Sequence, residues 1–233
     1  MHFFTCSTDT EKLRAHSEMS ARSGLDEMVY SKSYQNHMDG KVKGGLGEAL
    51  RGKKTTEIVA YLDGWDAMWL CDAAQIEHVY RKRNTGVLIS GERYFSCPGC
   101  PEGTKEKFEA AFPSSAPHRY LNAGAYVGSV EVLQKYHDRM KEQGWLAWGK
   151  INDDQSGWYQ FAIENPGLVA IDTDQELSST VSVPGTCPVL CDTDNPRAMN
   201  HDTKHPTCAI HTAGRGHEEL LLRKKAYEES CIR

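Results

Sequence analysis

The chain has 233 residues and a formal net charge of −5. With 39% hydrophobic and 25% charged residues, it has the composition of an ordinary soluble globular protein with a sizeable core. Its basic clusters, Arg81-Lys82-Arg83 and Arg223-Lys224-Lys225, are too short for backbone-driven nucleic-acid binding. No run reaches the ~18–20 apolar residues of a membrane span.

The amino terminus, Met-His-Phe-Phe-Thr-Cys-Ser, lacks the basic region and long apolar core of a signal peptide. His2–Ser7 predicts a first strand. Thr8 with Glu11 fits a capping box for a polar helix running to about Ser23, where Gly24 stops it. Asp26–Ser31 predicts a second strand. Lys41–Arg51 is glycine-rich and reads as a loop opening a helix, where exposed amides and Lys43 can meet a phosphate. Ile58–Leu62 is a short apolar β-rich run and predicts a buried strand.

That strand ends in Asp63-Gly-Trp-Asp66. In open α/β sheets ligands bind beyond the carboxyl ends of the strands. Two carboxylates ~5 Å apart at an effective dielectric near 20 repel by roughly 3 kcal/mol. A hard divalent cation such as Mg²⁺ or Mn²⁺ reverses that sign; the bland alternative is a solvated Asp-Gly turn.

Asp72 caps a predicted helix through Arg83, and Gly86–Ser90 predicts another apolar strand, ending in Gly91-Glu92. Ser96–Pro101 reads as a rigid loop and Glu106–Phe112 as a helix. Ala125–Gly128 predicts a short strand after Leu121-Asn-Ala-Gly, and Val130–Gln143 has the period of an amphipathic helix. Asp153 and Asp154 precede a helix through Ile163, with acids on its positive end. Leu168–Ile171 and Cys208–His211 predict strands, Ser178–Pro206 irregular chain, and Glu218–Glu229 a last helix. Alternating strands and helices predict one α/β domain over residues 1–233. Of the eight cysteines, Cys97/Cys100 and Cys187/Cys191 are close pairs that fit disulfides or a zinc clip. His211-Thr-Ala-Gly214-Arg215-Gly-His follows the last strand; two Asp and one His make a three-ligand cation site that also binds phosphate oxygens.

In this order the motifs Leu-Asp63-Gly-Trp-Asp66, Gly-Glu92, Arg119-Tyr-Leu-Asn122-Ala-Gly124, Asp153-Asp154-Gln155 and His211-Thr-Ala-Gly214 resemble the glycosyltransferase domain of procollagen lysyl hydroxylases, over nearly the whole chain. The resemblance implies a GT-A-type nucleotide-sugar-binding sheet flanked by helices. It implies Mn²⁺ held by Asp63, Asp66 and His211, and a UDP-sugar donor, UDP-glucose or UDP-galactose, near Thr5, Ser7, Lys43, Trp65, Asn122, Gly214 and Arg215. It also implies catalytic roles for Asp153 and Asp154 facing the transferred sugar, and a hydroxyl acceptor on a protein or glycan. The histidine loop departs from the family's usual His-Gly-Asn-Gly. A non-catalytic nucleotide-sugar or glycan-binding module is therefore the alternative, and a zinc-stabilised interaction domain a third reading.

Overall fold

The computed structural model describes residues 1–32, 36–147, 153–181, 189–191, 198–200, 202–213 and 216–231. A mixed sheet of six strands runs in the order β2 (Glu27–Tyr30), β1 (His2–Cys6), β3 (Ile58–Leu62), β6 (Tyr120–Ser129), β5 (Val87–Glu92) and β7 (Val169–Asp172). β6 is antiparallel to both of its neighbours; the other pairings are parallel. β4 (Ala67–Trp69), β11 (Ala209–His211) and β8 (Ser179–Thr180) form a second, three-stranded sheet, with β11 in the middle. β9 (Val189–Cys191) and β10 (Ala198–Asn200) make a two-stranded ribbon in the segment expected to be irregular.

Strand alternation builds a core on each face of the large sheet. Phe4, Val59, Tyr61, Val87, Ile89 and Tyr126 point to one face. There they meet a helical stretch from Met38 to Leu50, α4 (Thr104–Ala111), α5 (Val130–Glu142) and α6 (Asp154–Glu164). Phe3, Ile58, Ala60, Leu62, Leu88, Ala125 and Val127 point to the other, against α3 (Ala73–Arg81) and Trp69 of β4. A smaller core lies between α1 (Thr10–Arg22), the three-stranded sheet and α7 (Gly216–Cys231), around Met19, Met68, Ile210 and Leu220.

Local chemistry sets the ends of these elements. α1 is capped by Asp9, whose carboxylate accepts from the Glu11 and Lys12 amides at 3.1 Å. The expected Thr8 cap is displaced because an anion one residue closer suits the positive helix end better. Asp72 and Gln75 form a reciprocal capping box for α3. Ser129 and Asp153 cap α5 and α6.

The glycine-rich stretch is a π-helix over Met38–Leu46 that runs directly into α2 (Gly47–Leu50). Its glycines permit close packing. A Cβ on Gly45 would stand 2.2 Å from Cys6 Sγ, and one on Gly44 2.4 Å from the Tyr30 ring.

Cys97 is bonded to Cys100, and Cys71 to Cys208, the second across a sequence separation of 137 residues. The Cys97/Cys100 pair is thus a disulfide clip and not a zinc site. Cys187 lies outside the described residues, as does the side chain of Cys191.

Candidate metal and nucleotide-sugar site

The site forms where β3 ends. Asp63 leaves the strand with its amide bonded to the Gly124 carbonyl of β6 at 2.9 Å. Asp66 opens β4, and its carbonyl accepts from the Thr212 amide at 2.7 Å and from the Thr212 hydroxyl at 2.9 Å. β4 and β11 pair antiparallel with Ala67 opposite His211, so the histidine is delivered beside the acids by sheet register. Gly124 makes room for it: a Cβ there would fall 2.1 Å from His211 Cε1.

His211 Nε2 lies 3.5 Å from both Asp63 Oδ2 and Asp66 Oδ1. That is too long for a good hydrogen bond. It is near the ~3.0–3.4 Å that separates neighbouring ligand atoms around a divalent ion with ~2.1 Å bonds, from octahedral to tetrahedral geometry. One atom from each of the three side chains falls within 4.8 Å of the others, and all three are buried. Two carboxylates and an imidazole suit Mn²⁺, Mg²⁺ or Zn²⁺, so the residues fit a divalent cation.

Asp63 is supported from behind. The Tyr61 hydroxyl donates to its Oδ1, and Lys41 Nζ stands 2.7 Å from the same oxygen, leaving Oδ2 to face His211. Burial works against charge on His211, but Asp66 and then Asp63 outweigh it and lift its pKa above the ordinary imidazole value.

Lys41 is the residue that sequence reasoning missed. It is only 8% exposed. Its ammonium bridges Asp63 and, at 3.4 Å, Asp154 Oδ2. Burial alone would depress its pKa; Asp154 and Asp63 raise it well above the usual lysine range. Burial would likewise raise Asp154, but Lys41 and His37 hold that carboxyl well below the usual range. Asp153 is raised, by burial and by the adjacent Asp154 charge, and its Oδ2 caps the Ser156 amide at 3.2 Å.

Glu92, quoted in the motif but given no role, is also buried here. Gln155 Nε2 donates to its Oε1 at 2.9 Å and Asn122 Nδ2 to its Oε2 at 3.3 Å. Burial outweighs both amides and the nearby His211, and lifts its pKa to about 7. Gln155 also donates to the Ser96 carbonyl, so the Cys97–Cys100 clip is tied to the same acid.

The remaining expected residues divide. Thr5 is fully buried, its hydroxyl donating to the Leu62 carbonyl at 2.7 Å. Ser7 Oγ accepts from the Asp9 amide at 3.2 Å. Asn122 is occupied by Glu92 and by the Gly124 amide at 2.9 Å. Trp65 is 42% exposed, with Lys12 Nζ 4.7 Å above its ring. Lys43 faces away, pairing with Asp39 at 3.3 Å and lining a separate cavity of about 420 Å³ with Tyr30 and Trp145. Gly214 and Arg215 lie outside the described residues.

No protein-family profile and no curated protein matches the sequence. Among solved structures, the chain is similar to the galactosyltransferase LgtC in complex with donor and acceptor sugar analogs. The identity is 14% and the TM-score 0.49, with 97% of this chain and 96% of that one covered. It is also similar to mouse xyloside xylosyltransferase 1 in its apo form, at 12% identity and a TM-score of 0.44, with 78% and 88% covered. These values are low, and neither likeness bears on the chemistry of the site. Among the described residues no helix is long and apolar enough to cross a membrane.

Proposed function

We propose that the chain is a Mn²⁺-dependent glycosyltransferase. It moves a hexose, glucose or galactose, from a UDP-sugar to a hydroxyl on a protein or glycan. The observation that carries this reading is the convergence of Asp63, Asp66 and His211 within 4.8 Å, joined through Lys41 to Asp154. The arrangement puts a cation site beside a fixed ammonium and a buried carboxylate. A sugar diphosphate needs positive charge at the leaving group and an acid near the anomeric carbon.

Asp63, Asp66 and His211 hold the ion, which when bound supplies Lewis-acid stabilisation of negative charge on the departing diphosphate. Lys41 adds a second, permanent positive charge and keeps Asp154 ionised. Asp154 stabilises positive charge developing on the sugar, and Asp153 and Glu92 flank the space for the acceptor. Trp65 is exposed beside the acids and offers a face to the base. The two disulfides among the described residues fit an oxidising compartment.

Calorimetric titration of UDP, with Mn²⁺ and again after EDTA, tests the reading. Binding that needs the metal is expected, and Asp66→Ala should abolish it while the circular dichroism spectrum is unchanged. Equal UDP affinity with and without metal would remove Asp63, Asp66 and His211 as ligands. Turnover of UDP-glucose or UDP-galactose separates an enzyme from a module that only binds.

A further inference from the structure

We infer that His37, at the start of the π-helix with Asp154 behind its Nδ1, is the base that takes the proton from the acceptor hydroxyl. The inference rests on the donor-site reading above. His37 Nδ1 lies 3.5 Å from Asp154 Oδ1, while the other oxygen of that carboxylate faces Lys41 at 3.4 Å. Asp154 is buried and His37 has a side chain 57% exposed. The pair therefore links the inner ion-pair chain to a solvent-accessible imidazole. At 3.5 Å this is an ion-pair distance and not a good hydrogen bond; the Asp154 charge favours the N–H on the nearer nitrogen, Nδ1, which leaves the lone pair on Nε2.

The two neighbouring acids, Asp153 and Asp154, are poorly suited to take that proton. Asp154, held as an anion by Lys41, has little affinity for a proton. Asp153 spends Oδ2 on the cap of α6. His37 is different: Asp154 raises its pKa above the ordinary imidazole value, against the opposing charge of Lys41 and burial and with a smaller contribution from Asp63. A base poised near neutrality is the efficient one.

In the step, the acceptor O–H proton passes to Nε2 of His37 as the acceptor oxygen bonds to the anomeric carbon. The bond from that carbon to the diphosphate oxygen breaks, and its electron pair leaves with UDP. Ligand atoms of His37, Asp153 and Asp154 also fall within 4.8 Å of one another. Lys41 already supplies positive charge on the inner side of that cluster, which disfavours a second cation there.

The test uses the whole chain with Mn²⁺, UDP-glucose and UDP-galactose, and water as the acceptor. His37→Gln should bind UDP and Mn²⁺ within twofold of wild type. Its donor hydrolysis should fall about 100-fold or more. The wild-type rate should rise with pH around a midpoint above ~6.5, and this limb should vanish in His37→Gln. A limb that persists in His37→Gln but shifts in Glu92→Gln would belong to Glu92 and overturn the inference; saturating Mn²⁺ keeps protonation of His211 out of the profile. An unchanged rate and pH profile in His37→Gln overturns the assignment. Metal-dependent UDP binding with no turnover of either donor also overturns it but leaves the donor site standing, whereas absence of UDP binding removes both. Two Mn²⁺ per chain, falling to one in His37→Gln, would make His37 a metal ligand instead.

Discussion

Lys41 is a buried cation between two acids, and its removal has two opposite effects. Lys41→Met leaves Asp63 and Asp154 facing each other without a counter-charge. Breaking a buried ion pair from one side costs about 3–5 kcal/mol, which urea denaturation will read as a lowered midpoint. The surviving acids should attract a bare divalent ion more strongly. Affinity for Mn²⁺ alone is expected to rise about tenfold or more, while affinity for Mn²⁺ with UDP falls, because the diphosphate loses a partner. A variant that weakens both alike would show that Lys41 only supports the fold. His16 is a second buried charge, with Nε2 2.6 Å from Glu27 Oε2. Burial opposes its protonation, but Glu27 wins and raises its pKa. A raised folded pKa means that the stabilisation is full below the unfolded value near ~6.5 and is lost as pH rises through the folded one. Denaturation midpoints should therefore decline across that alkaline window in wild type, and more weakly in Glu27→Gln.

At the scale of elements, the π-helix and β6 decide the site, and both were only partly legible. The carboxylates after Leu62 stood out because an apolar strand stopping in two acids is a local pattern, and Asp153 and Asp154 because acids start helices. His211 was visible for the same reason, as the end of a short strand. The choice between Lys41 and Lys43 was not visible. A π-helix does not follow the 3.6-residue period by which faces are read, so nothing in the sequence said which lysine points inward. The glycines there read as a phosphate loop because packing against Cys6 and Tyr30 is a tertiary contact. Likewise Leu121-Asn-Ala-Gly124 read as a lead-in, yet it is strand, since small residues fit beneath His211 and Asn122 bonds to Glu92. Gly124→Ala should thus act as a metal-site mutation from a distance. The added methyl displaces His211, and Mn²⁺-dependent UDP binding should be lost with little change in the circular dichroism spectrum. Gly45→Ala places its methyl against Cys6 and should cost about 1–3 kcal/mol by overpacking. Its thermal midpoint will show whether the π-helix tolerates the shift.

For the whole molecule, the expected α/β sheet between helices is what the chain forms. The antiparallel β6 and the Cys71–Cys208 bond depend on partners far away in sequence, and no local pattern marks them. The bond joins the second residue after β4 to the residue before β11, while Asp66 immediately precedes β4 and His211 ends β11, at the far ends of the two strands. Without this bond the protein should lose roughly 4–5 kcal/mol, seen as a lower melting temperature in Cys71→Ser; dithiothreitol, which also opens Cys97–Cys100, should lower it at least as far. The same bond has a kinetic meaning. In an unfolded but oxidised chain, Asp66 and His211 stay only a few residues from a common covalent knot, so each sees the other at a high effective concentration. A ligand set that otherwise requires a search across most of the polypeptide is reduced to closing a small ring. Oxidised protein diluted from denaturant should regain its cation site early, before the large sheet is complete.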